Sequence, residues 1–322
     1  MKRLLLRLFL LVLAALLSSL AAAQGYPNKP IKVIIPFPPG GPTDLLGRAL
    51  AQRLADSWSQ PVIVENKPGA AGNLGVDLVA KSPADGYTLG VVPAGNISVN
   101  PTLFPNLPYK QSDLAAITML ATVENVLVVN PGVPVKNMAE LVALARAKPG
   151  AITFASPGAG SQAHLLGEML NLEAGVRMVH VPYKGIGPAQ NDLLGGQVSM
   201  MFPQMSSALP FIQSGQLRAI GVTSLKRSAV LPDTPTVAEQ GYLRVDAKSW
   251  YALMAPTGVP KDIIDKLSVE STRILKLPDV KERLAALGAD VVGGTPEELA
   301  AVIQAESTLW GGLIRKQGIK VE

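Results

Sequence analysis

The chain is 322 residues long, 48 % of them hydrophobic, and contains no cysteine. This composition excludes disulfides, thiol nucleophiles, cysteine-ligated zinc, iron–sulfur clusters and a cysteine-linked lipid anchor. The formal net charge of +5 includes three basic residues among the first 23, which leaves 26 basic against 24 acidic residues in the rest. Because there is no basic run and no aromatic-rich basic face, the sequence predicts no binding to nucleic acid.

The N-terminus has the pattern of an export signal. Lys2, Arg3 and Arg7 precede an apolar run at 8–17, and small residues follow up to Ala23. This pattern predicts a signal peptide over residues 1–23, cleaved near Ala23/Gln24. An uncleaved membrane anchor is the alternative, but the run is short against the roughly 20 residues that a span requires. We therefore expect a periplasmic protein without a lipid anchor, about the size of two ordinary domains.

The first third of the mature chain alternates short β-branched runs with amphipathic stretches. Strands are predicted at 31–37, 61–67 and 85–93, with helical patterns at 44–58 and 70–82 between them. This βαβαβ order predicts a parallel sheet with right-handed crossovers. Ligands of such sheets bind at the carboxyl ends of the strands, where the loop after the first strand lies.

A second unit of the same kind begins near residue 124, and the long helical patterns come only after it. Its predicted helices and strands cover 138–150, 151–170, 176–185, 187–196, 197–203 and 217–224, and the later helices cover 261–275 and 296–318. The second unit is thus inserted into the first, with crossing segments near 118–126 and 246–252. We predict an α/β, two-lobe periplasmic-binding-protein-like fold with a hinge, in which lobe 1 comprises 24–122 plus 249–322 and lobe 2 comprises 123–248.

Two glycine loops, "PPGGPTD" (38–44) and "SPGAGSQ" (156–162), each connect a strand to a helix. Glycines let backbone N–H groups turn toward a ligand, and the following helix adds unpaired donors and a partial positive charge. Each loop is therefore a candidate holder for a carboxylate or phosphate that needs no lysine or arginine. The alternative is a tight connection that merely ends in the helix-capping residues Thr43, Asp44 or Ser161.

Enzyme signatures are weak. "GAGSQA" (158–163) fits a dinucleotide pattern, but no acid follows at the required distance. Ser161 and His164 lie three residues apart, as a nucleophile and base might, yet no nucleophile elbow surrounds the serine. Two histidines and no clustered acids argue against a catalytic metal site. An exported hydrolase using Ser161 remains an alternative, and no cofactor or metal site is predicted.

Further candidate ligand-binding residues follow predicted strand ends or flank the two loops. They are Phe37, Asn96, Ser98, Tyr183, Lys184 and Gln204, with Ser206 an alternative to Gln204. Each has an ordinary explanation as well: a core aromatic, a turn, or a solvated lysine.

Seven segments in order resemble the extracytoplasmic solute receptors of tripartite tricarboxylate transporters, often called the TctC or Bug family. They are "YPNKPIKVIIPFPPGGPTD", "SPADGYTL", "FASPGAGSQAHLLGE", "VPYKGIGPAQNDLLGGQV", "LPDTPTVAEQG", "WYALMAPTGVP" and "LAALGADVVGGTPEELAAVIQAE". The resemblance implies a hinge-closing two-lobe protein without enzymatic activity. Its implied ligand is a small organic acid, namely a di- or tricarboxylate, an acidic amino acid or an aromatic carboxylate. The implied partners are a large and a small membrane subunit of the transporter.

The resemblance also assigns roles within the two loops. Binding through backbone amides, hydroxyls and waters maps onto Gly40, Gly41, Thr43, Asp44, Ser156, Gly160 and Ser161, and Gly158 of the second loop is a further candidate. Asn96, His164, Tyr183 and Gln204 would then select the ligand. The chain departs from the family where Ser199 replaces a usual Asp and Pro203 stands where another acid is often found. The change favours a bulkier or more apolar acid if these positions approach the pocket, and means little if they belong to a strand end. A receptor that feeds a membrane sensor rather than a transporter fits the same residues.

Overall fold

The computed structural model describes residues 25–183, 185–245, 248–285 and 288–320. The predicted signal peptide and its cleavage site, and the candidate residue Lys184, lie outside these ranges. Among the helices in these ranges, none combines the length and apolar character needed to cross a membrane.

Eleven strands and ten α-helices make up the described regular structure, together with short 3₁₀ and π turns. The strands are β1 (Ile31–Ile35), β2 (Val62–Asn66), β3 (Thr88–Pro93), β4 (Leu114–Val123), β5 (Val126–Val129), β6 (Thr153–Ser156), β7 (Val179–Pro182), β8 (Met200–Met201), β9 (Arg218–Val222), β10 (Ser249–Pro256) and β11 (Ala289–Gly293). The helices are α1 (Pro42–Trp58), α2 (Asn73–Ala80), α3 (Asn100–Leu103), α4 (Met138–Ala147), α5 (Gln162–Ala174), α6 (Ile186–Leu194), α7 (Met205–Gln213), α8 (Lys261–Leu275), α9 (Pro278–Ala285) and α10 (Pro296–Gln317).

The strands form two mixed sheets. The first has the order β11-β4-β10-β3-β1-β2 and the second β7-β6-β8-β5-β9. β1 pairs in parallel with β2 and β3, as the βαβαβ pattern predicted. β10 then runs antiparallel between β3 and β4, which the sequence pattern did not indicate. The α/β two-lobe prediction is confirmed.

The chain passes between the sheets twice. Residues 124–125 connect β4 to β5, and residues 223–248 lead back from β9 to β10. The lobe boundaries at 122/123 and 248/249 remain a prediction, because sheet membership alone does not fix where one lobe ends.

β10 shows why the first sheet is stable at its centre. All eight of its residues are buried. Trp250, Ala252 and Met254 pack on one face with residues of α2 and α10, whereas Tyr251 and Leu253 pack on the other with α1 and α8. The strand is covered on both faces, so its sequence is continuously apolar rather than alternating.

The C-terminal helix α10 packs against both cores. It begins with a capping box, in which Glu298 N–H donates to Thr295 Oγ1 and Thr295 N–H donates to Glu298 Oε2. Leu299 and Ile303 pack with the first sheet. Trp310, Leu313 and Ile314 belong instead to the hydrophobic core of the second lobe, together with Phe154 of β6. One helix therefore connects the two lobes.

Candidate functional site

The side chain of Asp44 stabilises the first glycine loop; Asp44 lies at the start of α1 and is 2 % exposed. Its carboxylate accepts hydrogen bonds from Gly40 N–H at 3.0 Å, Arg48 Nε at 3.0 Å and Asn66 Nδ2 at 2.9 Å. Burial acts to raise the pKa of Asp44, but the donors from Arg48, Gly40 and Asn66 outweigh it and hold that pKa below its usual value. The Asp44 side chain thus shapes the loop and is not available to an anionic ligand.

The backbone of this loop presents unused donors. Leu45 is the first residue whose N–H bonds back into the helix, to Gly41 O at 3.0 Å. Pro42 has no N–H, and the N–H groups of Gly41, Thr43 and Asp44 have no acceptor within the described ranges. Gly40 adopts a φ of +88°, which favours glycine, and its N–H is committed to Asp44. Three free donors therefore surround the positive end of α1.

The second glycine loop is satisfied mostly by itself. Gly158 O accepts from Ser156 Oγ at 2.9 Å, from Ser161 Oγ at 2.7 Å and from Ser161 N–H at 3.2 Å. Gly158 N–H donates to Ser156 Oγ at 3.2 Å, and Gly160 N–H donates to His164 Nδ1 at 3.0 Å. The amide hydrogens of Gly158, Gly160 and Ser161 are thus already donated inside the loop, so these glycines shape it instead of offering their own N–H groups.

The free donors of the second loop are the N–H groups of Ala159, Gln162 and Ala163, for which no acceptor exists in the part of the chain that is described. The sequence predicted unpaired donors at the start of the helix, but the residues named there as candidates were the glycines and serines of the loop and not these three. A usable signal was present, since the first helical positions after a capping serine such as Ser161 always lack intrahelical acceptors.

Two stacked histidines lie beneath this loop. The rings of His164 and His180 are 3.6 Å apart between centroids with an interplanar angle of 8°. His180 Nε2 lies 2.6 Å from Ser156 Oγ. Burial lowers the pKa of His164 to about 3, with a further contribution from His180, and lowers the pKa of His180 to about 4. Both rings are neutral near pH 7 and act as supports for the loop.

The hydrolase alternative is wrong. Ser161 Oγ donates to Gly158 O and accepts from the backbone N–H of His164, so it bonds to no imidazole nitrogen. His164 Nδ1 is occupied by Gly160 N–H. In the described ranges, no three histidine, aspartate or glutamate side chains are grouped as a metal site would require.

The two helix N-termini lie at the same edge of the first sheet. α1 follows the carboxyl end of β1. Ser249 begins β10 at that same edge, since Tyr251 pairs with Pro93 at the end of β3. Ser249 Oγ donates to Gln162 Oε1 at the start of α5. β10 is two strands away from β1, so the contact between Ser249 and Gln162 places the start of α5 to one side of β1 rather than directly over it.

Other contacts join the lobes around this edge. Gly160 lies against Leu103, so close that a Cβ on Gly160 would be 1.9 Å from Leu103 Cδ2. Gln204 Nε2 donates to Tyr251 Oη at 3.0 Å. The candidate Gln204 therefore connects the second lobe to the first.

The remaining candidates divide into those near the first loop and those engaged elsewhere. The Phe37 ring packs on Gly72, where a Cβ would be 2.8 Å from Cζ of the ring. Asn96 Nδ2 donates to Ala71 O and Asn73 Oδ1, both at 3.0 Å, so its amide nitrogen belongs to a buried network. The Ser98 hydroxyl is buried without a partner among the described residues. Tyr183 Oη donates to Asp192 Oδ2 at 2.6 Å, which commits its proton away from a ligand.

The two departures from the family pattern are structural here. Ser199 Oγ accepts from Thr153 N–H at 3.2 Å, next to the β6–β8 pairing. Pro203 O accepts from Val126 N–H at 3.0 Å. Both residues thus take part in the second sheet.

Two α/β lobes joined by two crossings and a shared helix, each with a helix that starts after a glycine loop, define a ligand-binding protein of the hinged two-lobe class. A family model for the tripartite tricarboxylate transporter family receptor (TctC) matches residues 46–319. The chain belongs to this family, whose members are periplasmic solute-binding proteins and not enzymes.

Relatives and solved structures agree with that assignment. The chain is 41 % identical over 324 residues to protein BugT of Bordetella pertussis, with 100 % of this chain and 99 % of BugT covered. It is similar to R. palustris Rpa4515 with adipate, at 31 % identity and a TM-score of 0.80, covering 92 % of this chain and 99 % of that one. It is also similar to MatC from Rhodopseudomonas palustris with bound malate, at 32 % identity and a TM-score of 0.76, covering 90 % and 100 %.

Proposed function

We propose that this receptor captures a small organic carboxylate between its lobes and delivers it to the membrane subunits of a tripartite transporter. The observation that carries the proposal is the set of free N–H donors at two helix N-termini on one edge of the cleft, Gly41, Thr43 and Asp44 on one side and Ala159, Gln162 and Ala163 on the other. The solved relatives with adipate and malate support a carboxylate as the ligand.

The charge of the site suits reversible capture. Neither loop contains lysine or arginine, and the one charged side chain, Asp44, is paired with Arg48. Hydrogen bonds from neutral amides to a carboxylate contribute about 1.5–3 kcal/mol each, and the helix ends add an attraction for anions. An anion is thus held without a fixed cation at the bottom of the site, which would slow its release.

The lateral offset of the two helix starts favours a ligand with acceptors at both ends. A single carboxylate fills one set of donors, whereas a short diacid satisfies both when the lobes close. Phe37, which follows β1 just before the first loop, and Gln204, from the second lobe, are then the side chains that select what lies between the two carboxylates. Lobe closure would bend the crossing segments near 118–126 and 246–252.

Binding is tested first with mature protein starting at Gln24, by calorimetry and thermal unfolding across short diacids and their diamides. A ligand at 100 times its Kd adds about 2.7 kcal/mol of stability. We expect a rise with a diacid and none with the matched diamide. Equal shifts with the diamide would contradict an anion-specific site.

The role of a backbone amide is isolated by comparing Gln162→Pro with Gln162→Ala. Gln162 is the first residue of α5, where proline is tolerated, and Ser161 before it has the extended backbone (φ −64°, ψ 157°) that precedes proline readily. Both variants lose the side-chain contact to Ser249, but only the proline variant loses the N–H donor. We expect the proline variant to bind a diacid about tenfold more weakly than the alanine variant. Equal affinities would remove this amide from the site.

Export and delivery need separate tests. Mass spectrometry of protein from the periplasmic fraction should show an N-terminus at or near Gln24 if residues 1–23 are a cleaved signal peptide. Uptake of the bound acid by vesicles that contain the large and small membrane subunits should require this receptor. A receptor that binds but supports no uptake would instead serve a membrane sensor.

A further inference from the structure

A cavity of about 450 Å³ lies at the junction of the lobes. Its walls come from β4, β10 and α10 of the first lobe and from the segment that follows β9. Its lining includes Met119, Thr122, Trp250, Val302, Glu306 and Lys226. No residue of 38–44 or 156–162 lines it. The volume falls within the range of small-molecule sites.

One wall of the cavity carries a half-buried carboxyl group. Glu306 projects from the middle of α10, flanked by the indoles of Trp250 and Trp310. Burial raises the pKa of Glu306 to about 7, and the neighbouring indoles of Trp250 and Trp310 act in the opposite direction. The helix thus places an ionisable acid where the two lobes meet.

This acid has no cationic partner within the described ranges. Lys248 Nζ, which also reaches the cavity, lies 3.6 Å from Glu124 Oε1 and 3.8 Å from Asp290 Oδ2, so two other carboxylates already neutralise it. Lys226 is exposed at the rim and forms no ion pair with a described residue. A half-buried carboxylate without a counter-charge is costly, and an added cation would offset that cost.

We propose that this cavity is a second binding site, specific for a small organic ammonium compound whose nitrogen pairs with Glu306 and whose apolar part contacts Met119, Trp250 and Val302. A divalent metal ion fits poorly, because it requires several oxygen ligands and Glu306 supplies the only carboxylate in the lining. An ammonium group needs fewer acceptors, and an indole beside the acid adds attraction for an organic cation. This inference does not depend on the ligand of the main cleft.

The test uses n-butylammonium as the probe and 1-butanol as its neutral control, with calorimetry on the mature protein. We expect saturable binding of the amine only, weakened about tenfold or more by Glu306→Gln. Affinity should rise from pH 6 to pH 8 as Glu306 loses its proton and should be flat in Glu306→Gln. The other charged groups around the cavity are Lys226 and Lys248 in its lining, with Glu124 and Asp290 beside Lys248.

Two further variants distinguish binding inside the cavity from a general attraction of cations to the acidic groups of the helix. Glu297→Gln removes an exposed acid from the first turn of the same helix and should leave binding unchanged. Val302→Phe keeps the charge of Glu306 but fills the cavity, and should abolish binding even if Glu306→Gln proves unstable. Absence of saturable amine binding, equal binding of 1-butanol, or wild-type affinity in Val302→Phe would each overturn the proposal.

Discussion

His164 and His180 stack face to face at 3.6 Å, and each supports a different end of the second glycine loop. His180 meets Ser156 at the end of β6, and His164 accepts from Gly160 just before α5. A protonated His164 would have a donor at Nδ1, facing the Gly160 N–H. The geometry of the loop is therefore linked to the neutrality of the pair.

Acid should destabilise the protein through this pair. The native pKa values of about 3 and 4 lie below the ordinary value of 6.5, so the unfolded chain binds more protons than the native one between these limits. The stabilising contribution of this pair is then fully present above pH 6.5 and is lost as the pH drops toward 4, by about 6 kcal/mol for the two groups together. Urea unfolding at a series of pH values measures it, with His180→Gln expected to flatten the slope. An unchanged slope in that variant would contradict the assignment.

Glu306 should act with the opposite sign. Its native pKa of about 7 is above the unfolded value, so the native state binds the additional proton between pH 4.5 and pH 7. This contribution is fully present below pH 4.5 and is lost as the pH rises through 7. Glu306→Gln cannot lose this contribution. The difference in free energy of unfolding between the variant and wild type should therefore favour the variant more at pH 8 than at pH 5. Since two of the three tryptophans flank Glu306, intrinsic fluorescence should titrate near pH 7 in wild type and not in Glu306→Gln.

Replacing Asp44 with asparagine should loosen the first glycine loop. The new amide would place an N–H₂ group among three donors, from Gly40, Arg48 and Asn66. We expect the free energy of unfolding to fall by about 2 kcal/mol and binding in the cleft to weaken, because a buried donor left without an acceptor is costly. Asp56→Asn, on the exposed side of the same helix, is the control and should be near neutral. Similar losses in both variants would show that Asp44 has no special role.

Gly160→Ala should oppose lobe closure. Gly160 has a φ of +77°, and its added Cβ would overlap Leu103. We expect a loss of about 1–3 kcal/mol and a larger radius of gyration in X-ray scattering. Gly187→Ala lies in α6 with open space around it and serves as the control. Adding Leu103→Ala should restore compactness but not the whole stability, since the backbone strain remains.

Tyr251→Phe should favour the open form. The phenol oxygen accepts the one hydrogen bond that Gln204 donates across the lobes, worth about 0.5–1.5 kcal/mol. Scattering without ligand should show a more open mean shape than wild type. Tyr87→Phe, which loses only a surface contact to Asn28 within one lobe, should leave the shape unchanged. Unchanged scattering in Tyr251→Phe would mean that other contacts set the closed geometry.

The alternation of strands and helices was predictable because apolar periodicity is local. The runs at β1 and β2, and the capping serine of α5, fall where the pattern placed them. The antiparallel insertion of β10 was not predictable, since it depends on a pairing between residues more than 100 positions apart.

The candidate site was predicted at the level of loops and not of atoms. A glycine in a loop does not reveal whether its N–H faces a ligand or, as with Gly160, a histidine four residues on. Asn96 likewise appeared to be a ligand residue, because its partner Asn73 lies on another helix and only the folded chain brings them together. Glu306 gave no signal, since an acid on an amphipathic helix is usually exposed.

The helix α10 has a mechanical consequence. Two chain crossings alone would let the lobes both bend and twist relative to each other. A rigid helix embedded in both cores, through Ile303 in one and Trp310 in the other, should resist the twist. We therefore expect lobe closure to approach a single rotation, which would bring the two proposed sets of amide donors together in the same alignment each time.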